Sequence, residues 1–181
     1  MLNSIATSPI SKPCSTGGEW FAIHTYAKHE KAVAAQLAQR QISAFTPTVR
    51  ETRKWTDRKK IIEIPLFSCY VFVQAVEWRD VYRTVVTVPG VLGWVGSGRE
   101  PLAIPQCEID SVRAITDERL SASPYPFLKL GQRVRVRGGC LDGVEGILVA
   151  RVNENRLVVS VNLIQQSAAV SLEGYQVVPI S

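Results

Sequence analysis

The chain is short of the residues that most often build a chemical site. Its 181 residues include two histidines, one methionine and four cysteines. Cys14, Cys69, Cys107 and Cys140 stand far apart, and no Cys-x-x-Cys pair occurs. A zinc site gathers about four ligands at short spacing, so no metal site is expected. Scattered cysteines behave as small apolar residues in a reducing compartment, and a cytoplasmic location is expected. No apolar run approaches the ~18 residues of a membrane-crossing helix. The residues after Met1 lack the basic start and apolar core of a secretory signal. Asp57, Glu63, Asp142 and Glu145 are the acids that acid–base chemistry would use. No nucleophile–base pair or phosphate-cradling loop accompanies them, so neither an enzyme nor a cofactor is expected.

What is present describes an ordinary globular chain. Hydrophobic residues make up 46% and charged residues 20%, with a net charge of +5. That charge gives a mild attraction to polyanions, and colloidal solubility alone also accounts for it.

Residues 1–18 are rich in Ser, Thr, Pro and Gly and read as a disordered tail. Trp20–His24 is a β-rich run. Lys28–Gln41 is alanine-rich, with Val33 and Leu37 on one face, and predicts a helix. Phe45–Val49 predicts a short strand interrupted by Pro47. Ile61–Ile64 predicts another, stopped by Pro65. Tyr70–Ala75 is almost continuously apolar, the pattern of a strand covered on both faces. Glu77–Val86 predicts a short helix, Val91–Val95 a strand, and Pro105 opens a helix with Ile109, Val112 and Ile115 as its stripe. Residues 19–119 therefore suggest an α+β unit, a mostly antiparallel sheet flanked by helices. Residues 120–127, with Pro124 and Pro126, read as a linker. Residues 128–181 read as all-β, with five short strands. In the first of these, Val134 and Val136 face in and Arg133, Arg135 and Arg137 face out. A small SH3-like barrel fits that pattern. Its many valines disfavour helix, so no helical form is expected.

Gly131, Gly139, Gly143 and Gly146 punctuate two β runs, where glycine permits the backbone angles of tight corners. This spacing resembles the KOW motif. An unrelated small barrel that turns on glycines is the alternative for this segment taken alone. Trp20-Phe21-Ala22-Ile23-His24-Thr25-Tyr26-Ala27-Lys28-His29-Glu30-Lys31-Ala32-Val33 resembles the opening of the NusG N-terminal (NGN) domain. Pro65-Leu66-Phe67-Ser68-Cys69-Tyr70-Val71-Phe72-Val73 is similar to that family's Leu-Phe-Pro-Gly-Tyr-Val-Phe-Val strand, with Ser68-Cys69 in place of Pro-Gly. Val88-Pro89-Gly90-Val91 resembles its Pro-Gly-Val strand. Together these resemblances span residues 19–181. Arg50–Lys60 holds six basic and two acidic residues. Its Trp-Thr-Asp-Arg-Lys-Lys, followed by Pro-Leu-Phe, looks like the UpxY and RfaH group of specialised paralogues, which antiterminate long operons, often for surface polysaccharides.

The resemblance implies a monomeric, non-enzymatic elongation and antitermination factor. It implies that the N-terminal domain binds the clamp helices of the largest subunit of RNA polymerase, at positions matching Phe67 and Tyr70. Trp20, His24, Thr25 and Tyr26 are the further candidates for contact with polymerase. Arg53, Lys54, Trp55, Arg58, Lys59 and Lys60 combine cations with an aromatic ring, the pairing that grips phosphate and stacks on an unpaired base. Non-template DNA or the upstream duplex is the partner this suggests, and a solvated hairpin tip is the plain alternative. The KOW domain would recruit the ribosomal small subunit or a termination factor. Two other readings stand beside this one: a general NusG, and a ribosome- or RNA-binding protein that uses KOW alone.

Overall fold

The computed structural model describes residues 18–54, 59–97, 100–117, 122–125, 131–151, 154–172 and 175–180. The expected tail, apart from Gly18, lies outside them. The N-terminal unit runs β1 (Glu19–Thr25), α1 (Glu30–Gln39), β2 (Ser43–Phe45), β3 (Thr48–Lys54), β4 (Lys59–Pro65), β5 (Tyr70–Ala75), α2 (Trp78–Val86), β6 (Val91–Trp94), β7 (Gly96–Ser97), β8 (Glu100–Pro101), β9 (Ala103–Ile104) and α3 (Gln106–Asp117). The C-terminal unit runs β10 (Ala122–Tyr125), β11 (Gln132–Arg137), a single 3-10 turn at Gly139–Leu141, β12 (Glu145–Arg151), β13 (Glu154–Val161), β14 (Gln166–Ser171) and β15 (Gln176–Pro179).

The first sheet has the order β2-β5-β1-β6, with β9 also paired to β1. Its two central strands sort alternate side chains into two cores, as a pleat requires. Val71 and Val73 of β5 and Ile23 of β1 join Val33 and Leu37 of α1 and Val85 of α2. Phe72, Trp20 and Ala22 face the other way and join Ile109, Val112 and Ile115 of α3. The sheet is thus covered by α1 and α2 on one side and by α3 on the other, which explains the unbroken apolar run in β5. Arg113 of α3 closes the second core from above, its guanidinium 4.6 Å from the Trp20 ring and 5.2 Å from the Phe45 ring.

Three sequence expectations need correction. Phe45–Val49 is not one strand. β2 ends at Phe45 in the main sheet, and β3 begins at Thr48 in a separate ribbon with β4. Pro47 sits at the break, where its carbonyl accepts the Leu66 amide at 2.8 Å. Pro105 precedes α3 rather than opening it, and its carbonyl accepts the Glu108 amide at 3.0 Å. The expected linker contributes a strand, because β10 pairs antiparallel with β14 from Ala122↔Val170 to Tyr125↔Ser167. The second sheet therefore has six strands, in the order β10-β14-β13-β12-β11-β15, instead of five. Its interior is Val134, Val136, Leu157, Val159, Val161, Ala168 and Val170.

The two units meet through α3. One side of this helix lies on the first sheet, and another touches β13 and the 3-10 turn. The Glu108 carboxylate accepts the Asn162 amide at 3.1 Å and the Asn162 side-chain amide at 2.6 Å. One apolar cluster consequently runs from the first sheet through α3 into the barrel.

Candidate interface at the end of the central strands

β1 and β5 run antiparallel with His24 opposite Tyr70. Their rings lie 5.3 Å apart and tilted by 32°. His24 is exposed, and Tyr70 is half-buried where its ring leans on the α3-side core. Tyr26 follows in the next loop, 57% exposed, with its ring 5.9 Å from His29. Three connections converge under this patch. The Thr25 amide donates to the Cys69 carbonyl and the Tyr26 amide to the Gly90 carbonyl, each at 2.9 Å. Gly90 has φ +99, and a Cβ there would come within 3.2 Å of His29 Cβ. Glycine is what lets the loop close.

The other contact candidates are inside the protein. Phe67 has no exposed surface and meets Phe72 edge-on at 6.1 Å. Trp20 is 2% exposed beneath Arg113, and Thr25 is 1% exposed. These three side chains support the surface instead of forming it. For Trp20 and Phe67 the reason is the second helical layer: α3 returns over the face that Trp20 and Phe72 share, which no local spacing reveals, whereas Thr25 alternates with Ile23 onto the opposite face. Of the six candidates, the structure brings His24, Tyr26 and Tyr70 to one exposed end.

The basic candidates fall on the β3–β4 ribbon, where the register pairs Arg53 with Lys60 and Lys54 with Lys59. Trp55 and Arg58 lie outside the described residues. Lower in the ribbon, Lys31 of α1 donates to Glu63 at 2.8 Å, and Arg50 lies 3.7 Å from the same carboxylate. The Lys31 hydrogen bond and charge, with a smaller contribution from Arg50, hold the exposed Glu63 carboxyl below its ordinary value of 4.5. This exposed ion pair links the ribbon to α1 across residues far apart in the sequence, which no local spacing reveals.

Among the KOW glycines, Gly139 and Gly143 take φ +66 and +82 around the 3-10 turn, and Gly131 takes φ +153. Gly146 serves a different need: a Cβ there would sit 2.5 Å from the Val158 carbonyl oxygen of the neighbouring strand. On the outer face of β11, Arg133 and Arg135 both bind Glu145 of β12. A cleft of about 970 Å³ between α3 and the barrel is lined by Cys107, Glu108, Ser111 and Arg133, among others. Among the described residues, no three His, Cys, Asp or Glu side chains gather as a metal site, and no helix is long and apolar enough to cross a membrane.

This architecture has known counterparts. The family model described as "Transcription termination factor nusG" matches residues 18–113. The Transcription termination/antitermination protein NusG of Bacillus subtilis is 28% identical over 173 residues, 87% of this chain and 96% of that protein. The protein of the same name from Borreliella burgdorferi is 26% identical over 176 residues, 85% of this chain and 94% of its own length. That of Thermus thermophilus is 27% identical over 182 residues, covering 88% and 97%. The solved structure titled "Domain interaction in Thermotoga maritima NusG" shares the fold with a TM-score of 0.50 at 21% identity, covering 84% of this chain and 92% of that one. With its family match, its sheet between two helical layers and its all-β second unit, the chain belongs to the NusG family.

Proposed function

We propose that this chain is a transcription elongation and antitermination factor that binds RNA polymerase through residues 19–119 and recruits a second machine through its KOW domain, residues 128–181. The observation that carries the reading is the exposed end of β1 and β5, where Tyr70, His24 and Tyr26 present aromatic surface on a rigid base. Aromatic side chains bury large area at low entropy cost, the profile of an anchor in a protein interface. The clamp helices of the largest polymerase subunit are the proposed partner. Holding the clamp closed suppresses pausing or termination.

The basic ribbon supports a contact with non-template DNA, since Arg53, Lys54, Lys59 and Lys60 are paired at its outer end. The segment Arg50–Lys60 and its junction with Pro65-Leu66-Phe67 favour a specialised paralogue of the UpxY and RfaH kind, acting at a few operons such as those for surface polysaccharide. A general NusG acting on most transcription units is the second reading. The nearly full-length likeness to proteins named for termination and antitermination favours it. Retention of the chain on purified core polymerase tests the shared part of both readings. Genome-wide polymerase occupancy with and without the protein separates them: a change at a few operons supports the paralogue, and a broad change supports the general factor.

A further inference from the structure

Glu30 is the first residue of α1 and is only 3% exposed. An acid in the first turn of a helix is favoured by the helix dipole wherever it points. This one is buried and aimed at another loop. Its Oε1 accepts the Cys69 amide at 2.7 Å. The Cys69 carbonyl meanwhile accepts the Thr25 amide at 2.9 Å. Both backbone polar groups of Cys69 are therefore held, and Cys69 stands at φ +68. Glycine takes that left-handed conformation freely, and a residue with a Cβ resists it. Tyr70 is the next residue in the chain.

We propose that Glu30 is a positioning residue: its buried carboxylate holds Cys69 in the left-handed conformation and thereby sets the Tyr70 ring against His24. A carboxylate is removed from water only where strong partners replace the lost hydration. Here the amide that replaces it belongs to a residue whose backbone stands in the left-handed region that a Cβ resists. Glu30 does not itself touch the proposed partner. Its importance for transcription rests on the polymerase reading above.

The test uses the full chain with four variants: Glu30→Ala, Glu30→Gln, Cys69→Gly, and Glu30→Ala combined with Cys69→Gly. Three measurements are made: amide exchange at Cys69, the His24–Tyr70 ring contact by NMR, and affinity for core polymerase. Glu30→Ala is expected to speed Cys69 exchange roughly tenfold, the weight of one hydrogen bond to a charged group. It should also abolish the ring contact and weaken polymerase binding about tenfold, if the contact surface must be preformed. Glu30→Gln keeps an acceptor oxygen and should fall between wild type and alanine. Cys69→Gly, which needs no restraint, should restore both ring contact and binding in the Glu30→Ala background. Loss of thermal stability alone, without that rescue, would reduce Glu30 to a structural role and overturn the proposal. Unchanged Cys69 exchange, or a ring contact that survives Glu30→Ala, would overturn it as well. Failure of the wild-type chain to bind polymerase would sink the polymerase reading instead, while exchange and ring contact still decide whether Glu30 positions Tyr70.

Discussion

Phe67 and Tyr70 lie in one short stretch of chain, yet Phe67 is sealed against Phe72 while Tyr70 keeps a face to solvent. Removing a fully buried phenylalanine ring costs about 3–5 kcal/mol through lost transfer energy and the cavity left behind. Phe67→Ala is therefore expected to lower stability by that amount in urea unfolding. Tyr70→Ala should cost much less stability and instead lower retention by polymerase. Equal destabilisation by the two would contradict this division. Glu63 gives a second test. Its folded carboxyl titrates below 4.5, so the tie to Lys31 is intact above the ordinary glutamate range and is lost as pH falls through the lowered value. In carboxyl NMR titrations, Lys31→Met should move the Glu63 midpoint up toward 4.5, because the largest cause of the depression is gone. A midpoint that stays put would assign the depression to Arg50.

Among the elements, the β3–β4 ribbon pairs with itself and with no other described strand. Cations at its outer end should act through phosphate neutralisation, which is sensitive to salt. Arg58→Ala, Lys59→Ala and Lys60→Ala together are expected to weaken binding to a transcription bubble and flatten its dependence on salt. A variant that matches the wild-type affinity at each of several salt concentrations would remove nucleic acid from this surface. The ribbon also marks how far the sequence could be read. β5 was legible because a strand covered on both faces writes an unbroken apolar run, and the alternation of β11 wrote its two faces directly. The break at Pro47 was visible, but that the chain changes sheets there was not, since that depends on a partner strand. β10 hid inside a proline-bearing stretch because its pairing lies with residues 167–170, far along the chain. The aromatic residues near Tyr70 were found by type. Which of them stay exposed was decided by α3 folding back over the sheet. The role of Glu30 is not legible locally, because its partner, Cys69, is 39 residues away.

At the scale of the whole molecule, α3 is shared. Ile109, Val112 and Ile115 belong to its apolar contacts, while Glu108 grips both amides of Asn162 in the turn between β13 and β14. Glu108→Ala leaves the sheet-side contacts intact and removes both hydrogen bonds to the barrel. The barrel is then expected to tumble more independently of the N-terminal unit, seen as divergent NMR relaxation times for the two halves. Identical relaxation in the variant would mean that apolar contact alone holds the units together. The ribbon of β3 and β4 stands apart from this arrangement. Val49 at its base is buried with the core, but Ile61 nearer its end is 65% exposed, and the register there runs on with no third described strand beside it. Substitutions along the exposed part of the ribbon would alter its chemistry without unsettling either hydrophobic centre, so natural variation or an engineer can retune that finger while the grip beside it stays the same.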